Sequence, residues 1–233
     1  MSETLVLLPG MMCDRRLYQP QIDYFSISRE VIVVDFGLAN TMRAMAETVL
    51  QQAPAKFALA GLSMGGIVAM EVMRIAPERV TRLALLDTNP RAEIPEVQAA
   101  RQPQMEAAAS GGLEQIMREQ MIARYFASNT DTSQLTEDAT AMALDLGADV
   151  FVAQSQALAT RPDQQNTLAE VIVPTLILMG EEDLLCPKDR HDLMAQLMPH
   201  ANYTIIPDAG HIPCLEQPQL TNQALVAWLQ ATG

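Results

Sequence analysis

The stretch ALAGLSMGGIVAMEV (residues 58–72) decides how the chain reads. Its first half has strand character and its second half helical character. Ser63 stands at the change, between Gly61 and Gly65. A sharp turn from strand to helix drives its central residue toward positive φ and lifts that side chain above the sheet. The residues two before and two after the serine then crowd each other, so both must be small, and glycine meets that need. The plainer alternative is a glycine-rich turn whose serine merely caps the helix. Either way Ser63 sits at a helix N-terminus, where free N–H groups and the positive dipole end favour negative charge. Met64 N–H is the first donor available there.

Outward from this stretch, short apolar runs recur at TLVLL (4–8), VIVVDF (31–36), KFALA (56–60), RLALLD (82–87), TLILMG (175–180) and NYTIIP (202–207). Each is too short for a core helix, and near-continuous apolar character is how strands buried on both faces of a parallel sheet look. Helical patterns lie between them: residues 42–53, residues 64–76 ended by Pro77, residues 188–198 and residues 218–230. This alternation predicts an α/β fold, a mostly parallel sheet of about six strands with helices on both faces. Residues 90–165 break the rhythm. They read as helical segments, with a polar loop at SNTDTSQLT (128–136), and are expected to form an all-helical cap inserted in a core made of residues 1–89 and 166–233.

A length of 233 residues suits one domain with such an insertion. The net charge of -13 argues against nucleic acid or an anionic membrane as partner. MSETLVLLPG has no basic leader pattern, and no apolar run approaches ~18 residues, so neither a signal peptide nor a membrane span is expected. Cys13, Cys186 and Cys214 are odd in number and fit no disulfide spacing, which points to a reducing cytoplasm. No CxxC or histidine pair supports a metal, and no cofactor is expected.

A serine hydroxyl needs a base, and the base needs an orienting group. Of the three histidines, His191 falls in a helical pattern and His200 in a loop, and both read as surface residues. His211, in PDAGHIPCLEQP, follows the last strand, where α/β sheets place their sites. For the acid, LILMGEEDLLCP (176–187) offers Asp183 just beyond a strand, with Glu181 and Glu182 beside it; Asp87, at the end of RLALLD, is the main competitor. The order Ser63, Asp183, His211 fits a nucleophile elbow and its triad. In the turn LLPGMMCD after the first strand, Met11 N–H is the candidate second oxyanion donor and Met12 the next choice; Asp14 can cap the helix beyond.

With LLPGMMCD, GLSMGGIVAMEVMRIAPERV, VPTLILMGEEDLLCP and DAGHIPCLEQP on the page, the chain resembles the α/β-hydrolase fold family over nearly its whole length. The resemblance implies a Ser–His–Asp triad under a helical cap. Two departures stand out: Pro9-Gly10 where many members have His-Gly, and no leading antiparallel hairpin. The cap offers Met117, Met121, Tyr125, Phe126 and Phe151, which with Met12 are expected to form an apolar, adaptable lining. The expected substrate is a small molecule, by default a small or medium carboxylic ester. A carbon–carbon bond hydrolase, a thioesterase, a lyase or a slowly turning-over receptor would use the same residues.

Overall fold

The computed structural model describes residues 3–128 and 132–231. The chain opens on β1 (Leu5–Leu8). Asp14, accepting from Arg16 N–H, caps a short 3-10 turn (Arg15–Tyr18) that runs into α1 (Gln19–Phe25). Then follow β2 (Val31–Val33), α2 (Met42–Gln52), β3 (Phe57–Leu62), α3 (Met64–Ile75) and β4 (Val80–Leu86). From β4 to the next strand the described chain is helical or irregular: α4 (Pro95–Ala107), α5 (Leu113–Ile116), α6 (Ser133–Ala159) and α7 (Gln165–Ala169). Part of the expected polar loop, residues 129–131, lies outside the described residues, and α6 already opens at Ser133. The chain closes with β5 (Thr175–Gly180), α8 (Lys188–Leu197), β6 (Asn202–Ile206), α9 (Pro213–Glu216) and α10 (Pro218–Gln230).

All six strands pair in parallel, in the order β2-β1-β3-β4-β5-β6. β1, β3 and β5 are buried along their whole length, as continuous apolar runs require when helices cover both faces. Each such Leu, Ile or Val side chain contributes about 1.5–3 kcal/mol on full burial. The edge strand β6 is largely accessible. The strand order reverses between β1 and β3. The loops leaving these two strands, Pro9–Cys13 and Ser63, therefore flank the crevice in which open α/β sheets bind their ligands.

One expectation fails. His191 is not a surface residue; it is fully buried, whereas His200 is exposed. His191 and Met194 fall on one face of α8, and that face, with Met198 just beyond the helix, packs on the core. The Thr88 N–H donates to His191 Nε2 at 3.3 Å, which leaves the ring neutral, and the ring stacks on Tyr203. Burial pulls its pKa from 6.5 down to about 4, against the nearby charge of Asp183. Neutral His191 therefore favours the fold above pH 6.5, and this contribution is lost as the pH falls toward 4, where the unfolded chain binds the extra proton. The loss is on the order of 3 kcal/mol. Urea midpoints measured from pH 7 to pH 4 are expected to fall less steeply for His191→Gln than for the wild type; parallel slopes would contradict a neutral buried ring.

Candidate active site

The turn at residue 63 has the conformation that the sequence calls for. Ser63 has φ +55° and ψ -117°, outside the regions that L-residues favour. Its N–H continues the ladder to Leu86 O at 2.9 Å, and its carbonyl accepts from Thr88 Oγ1 at 2.7 Å, so the strained residue is held from both sides. A Cβ on Gly61 would sit 2.3 Å from Gly65 O, and one on Gly65 would sit 2.1 Å from Leu8 O. No larger residue fits either place. The Ser63 hydroxyl makes no capping bond to α3, which rules out the capping-serine alternative. It faces His211 instead, with Oγ 2.8 Å from Nε2.

His211 and Asp183 come from the loops after β6 and β5. Both Asp183 oxygens lie on His211 Nδ1, at 3.0 and 2.9 Å, and both residues are buried. Two acceptors at Nδ1 put the ring proton there and leave Nε2 to accept from Ser63. Burial alone would raise the Asp183 pKa. The charge and hydrogen bond of His211, with the Cys186 and Leu185 N–H groups on Oδ1, outweigh it and hold the carboxyl below its usual range. The competing acids point elsewhere. Glu182 accepts from the Ser128 N–H and hydroxyl, Glu181 is exposed, and Asp87 lies beneath Asp183. Asp87 Oδ1 accepts from Gly180 N–H at 2.7 Å, and Oδ2 has no donor among the described residues. Burial first, and then the charge of Asp183, push the Asp87 pKa well up, which favours its neutral form.

Several residues that hold this arrangement were not singled out by the sequence reading. Half-buried at the end of α9, Glu216 accepts from the N–H groups of Gly210, Ile212 and Ala127, and so fixes the backbone on both sides of His211. His211 N–H donates to Tyr125 O at 2.6 Å, and that close approach is why residue 210 is glycine: a Cβ there would meet Tyr125 O at 2.4 Å. Gln154 Oε1, on α6, accepts from Met12 N–H at 2.8 Å. Met12 N–H is thus occupied, whereas the Met11 and Met64 N–H groups have no partner among the described residues, and both residues line the cavity beside Ser63. The pairing of Glu216 with His211 could have been suspected from their common motif. Gln154 carried no such signal.

The cavity over Ser63 has a volume of about 490 Å³. Of the residues expected to form its lining, Met121 and Tyr125 do so. Met12, Met117 and Phe151 are instead sealed in the interior, and Phe126 borders a separate recess. Ile94, Val97, Leu158 and Leu185 add further apolar contact, but the lining is not apolar alone: five arginines, among them Arg101 and Arg161, face the same space, with Glu93 the one acid among the described lining residues. Cys13 and Cys186 line the cavity and Cys214 does not. Burial raises all three thiols, Cys13 to about 12, so none is a ready thiolate. Asp183, Cys186 and His211 offer potential ligand atoms within 4.8 Å of one another, but Asp183 and His211 are already engaged with each other at Nδ1.

A parallel sheet that raises a serine, a histidine and an aspartate to one rim defines the class as α/β proteins with a hydrolase-type triad. The sequence profile of the alpha/beta hydrolase family matches residues 5–224, and the chain belongs to that family. It is 29% identical over 250 residues to a pimeloyl-[acyl-carrier protein] methyl ester esterase of Yersinia enterocolitica, covering 98% of this chain and 94% of the relative. A protein of the same description from Legionella pneumophila is 27% identical, over 93% of this chain and 90% of its own. Among solved structures, a thermophilic esterase from Thermogutta terrifontis, malate bound, superposes with a TM-score of 0.90 at 28% identity, over 99% of this chain and 90% of the other. An enol-lactonase from Burkholderia xenovorans shares the fold, with a TM-score of 0.88 at 21% identity over 99% and 92% of the two chains. No helix among the described residues is long and apolar enough to cross a membrane.

A neutral Asp87 and an ionised Asp183 respond differently to the same substitution. A carboxyl with a raised folded pKa stabilises at low pH and loses that contribution as the pH rises through the folded value. Asp87→Asn keeps an acceptor for the Gly180 N–H and cannot ionise beside Asp183, so its melting temperature at pH 8 is expected to equal or exceed that of the wild type. Asp183→Asn, which breaks the pair with His211, is expected to lower it. A fall of many degrees on Asp87→Asn would contradict the assignment.

Proposed function

We propose that this chain is a serine esterase that works through an acyl-enzyme. The observation that carries the reading is the 2.8 Å approach of His211 Nε2 to Ser63 Oγ, with Asp183 on the far side of the ring. In this reading His211 takes the Ser63 proton as Oγ attacks the ester carbonyl, and Asp183 orients the imidazole and stabilises its charged form. The Met11 and Met64 N–H groups, without partners among the described residues, receive the oxyanion. His211 then protonates the leaving alcohol. Next, a water molecule activated by the same ring attacks the acyl carbonyl and returns Ser63 to its resting form.

Strain at Ser63 supports the reading. Backbone held at positive φ costs of order 1–3 kcal/mol, and such strain clusters at functional positions. The relatives' names, esterases and a lactonase, support ester bonds over carbon–carbon bonds. Met121 and Tyr125 supply the apolar contact to the acyl or alcohol group. The three cysteines are free, which fits a reducing compartment such as the cytoplasm.

A panel of short p-nitrophenyl esters, thioesters and vinylogous diketones, turned over by the wild type and by Ser63→Ala, tests the proposal. Ester turnover is expected to dominate and to fall by about 10⁴-fold or more in the variant. Turnover that survives Ser63→Ala within about tenfold would remove the covalent route. Tight binding of esters without turnover would favour a receptor.

A further inference from the structure

The arginines of the cavity are not explained by ester chemistry. Arg91, Arg101, Arg124, Arg161 and Arg190 all face the space over Ser63, five of the 15 basic residues of a chain whose net charge is -13. Two carboxylates serve four of them. Glu93, its side chain buried, bridges Arg101 and Arg161, with Arg161 Nη1 at 2.6 Å. Asp189 bridges Arg91, at 3.0 Å, and Arg190. Among the described residues Arg124 meets a carbonyl, Leu184 O, and no carboxylate.

The inner group of three has the clearest surplus. The side chains of Arg101 and Arg161 are 14% and 10% exposed, and that of Glu93 is 3% exposed. One guanidinium is enough to neutralise Glu93. A second buried beside it adds like-charge repulsion and a desolvation cost that a purely structural ion pair would avoid. That cost shows in Arg161. Burial, opposed by Glu93 and reinforced by the charge of Arg101, pulls its pKa below the ordinary value. Arg101 uses only Nε on Glu93, and its two Nη groups have no partner among the described residues. Arg161 engages Nε with Arg91 O and Nη1 with Glu93, which leaves Nη2 open. Both arginines line the same cavity as Ser63.

We infer that Arg101 and Arg161 form a subsite for an anionic oxyacid group, so that the substrate is an ester bearing a second, ionised carboxylate or phosphate. Guanidinium N–H groups in a planar fork match such an anion, and in a partly dry cavity charge-assisted bonds are strong. Glu93 holds the two forks in place and keeps the empty site from carrying two uncompensated charges. The half-ester of a dicarboxylic acid is the simplest molecule with this chemistry: its ester carbonyl lies at Ser63 and its free carboxylate at the arginines. The inference rests on the esterase reading for the scissile bond, but the anion site itself is independent of it.

Two measurements on the full-length protein test it. Ethyl half-esters of succinate, glutarate and adipate are compared with the corresponding diethyl esters. The wild type is expected to favour the half-ester in kcat/KM by at least about tenfold, with the preference shrinking as salt rises. In Arg101→Met, which leaves Glu93 paired with Arg161, the half-ester to diester ratio is expected to drop by about tenfold. Wild type that treats both esters alike, or prefers the diester, would overturn the inference whether or not the variant folds. Calorimetric binding of glutarate and of inorganic phosphate reads the subsite without turnover and tells the two anions apart. Binding by the wild type, weakened about tenfold or more in Arg101→Met, is the expected result. No binding of either anion would overturn it. Anion binding without ester hydrolysis would keep the subsite and count against the esterase reading alone.

Discussion

The structure depends on one close approach. Gly65, at the start of α3, lies so near the end of β1 that Leu8 O occupies the space a side chain would need, and Gly61 lies equally near Gly65. This packing bends the chain from β3 into α3 within a single residue and holds Ser63 at φ +55°. The buried strands on either side resist relaxation of that turn, because any shift would open the ladder from Ser63 N–H to Leu86 O. Strain stored by a well-packed scaffold puts the hydroxyl above the sheet, where a histidine from a loop 148 residues away in sequence can reach it.

The histidine is held as firmly as the serine, and by groups from both layers of the molecule. Glu216 fastens the Gly210–Ile212 backbone, Tyr125 O takes the His211 N–H, and Asp183 fixes the ring. Glu216 also accepts from Ala127, and Gln154 of α6 reaches down to Met12 in the loop after β1. The segments above the sheet are therefore tied to the loops that carry His211 and Met12. They do more than roof the cavity: they complete the hydrogen bonding of the triad and of the neighbouring turn.

The core could be read from the sequence because two-sided burial forces continuous apolar runs, and TLILMG became β5 residue for residue. The triad could be read because Ser63, Asp183 and His211 each lie just beyond the C-terminal end of a strand, and the sheet brings those ends together. The interior of the cap could not. Met117 and Phe151 look like lining residues as much as Met121 and Tyr125 do, and only the packing of α4, α5 and α6 decides which faces turn inward. The arginines were missed for a related reason: a long basic side chain reads as solvated surface unless the fold shows that it borders a cavity. His191 carried a usable signal in its spacing from Met194 and Met198, but its polarity argued the other way.

The central claim is that the Ser63 hydroxyl is activated by the ring of His211. Its most direct measurement is the reaction of the protein with a fluorophosphonate, followed over time and mapped by peptide mass spectrometry. One adduct, on Ser63, is expected, formed far more slowly in His211→Asn. An adduct on Cys13, Cys186 or any other residue, or labelling of Ser63 at an undiminished rate without His211, would contradict the account.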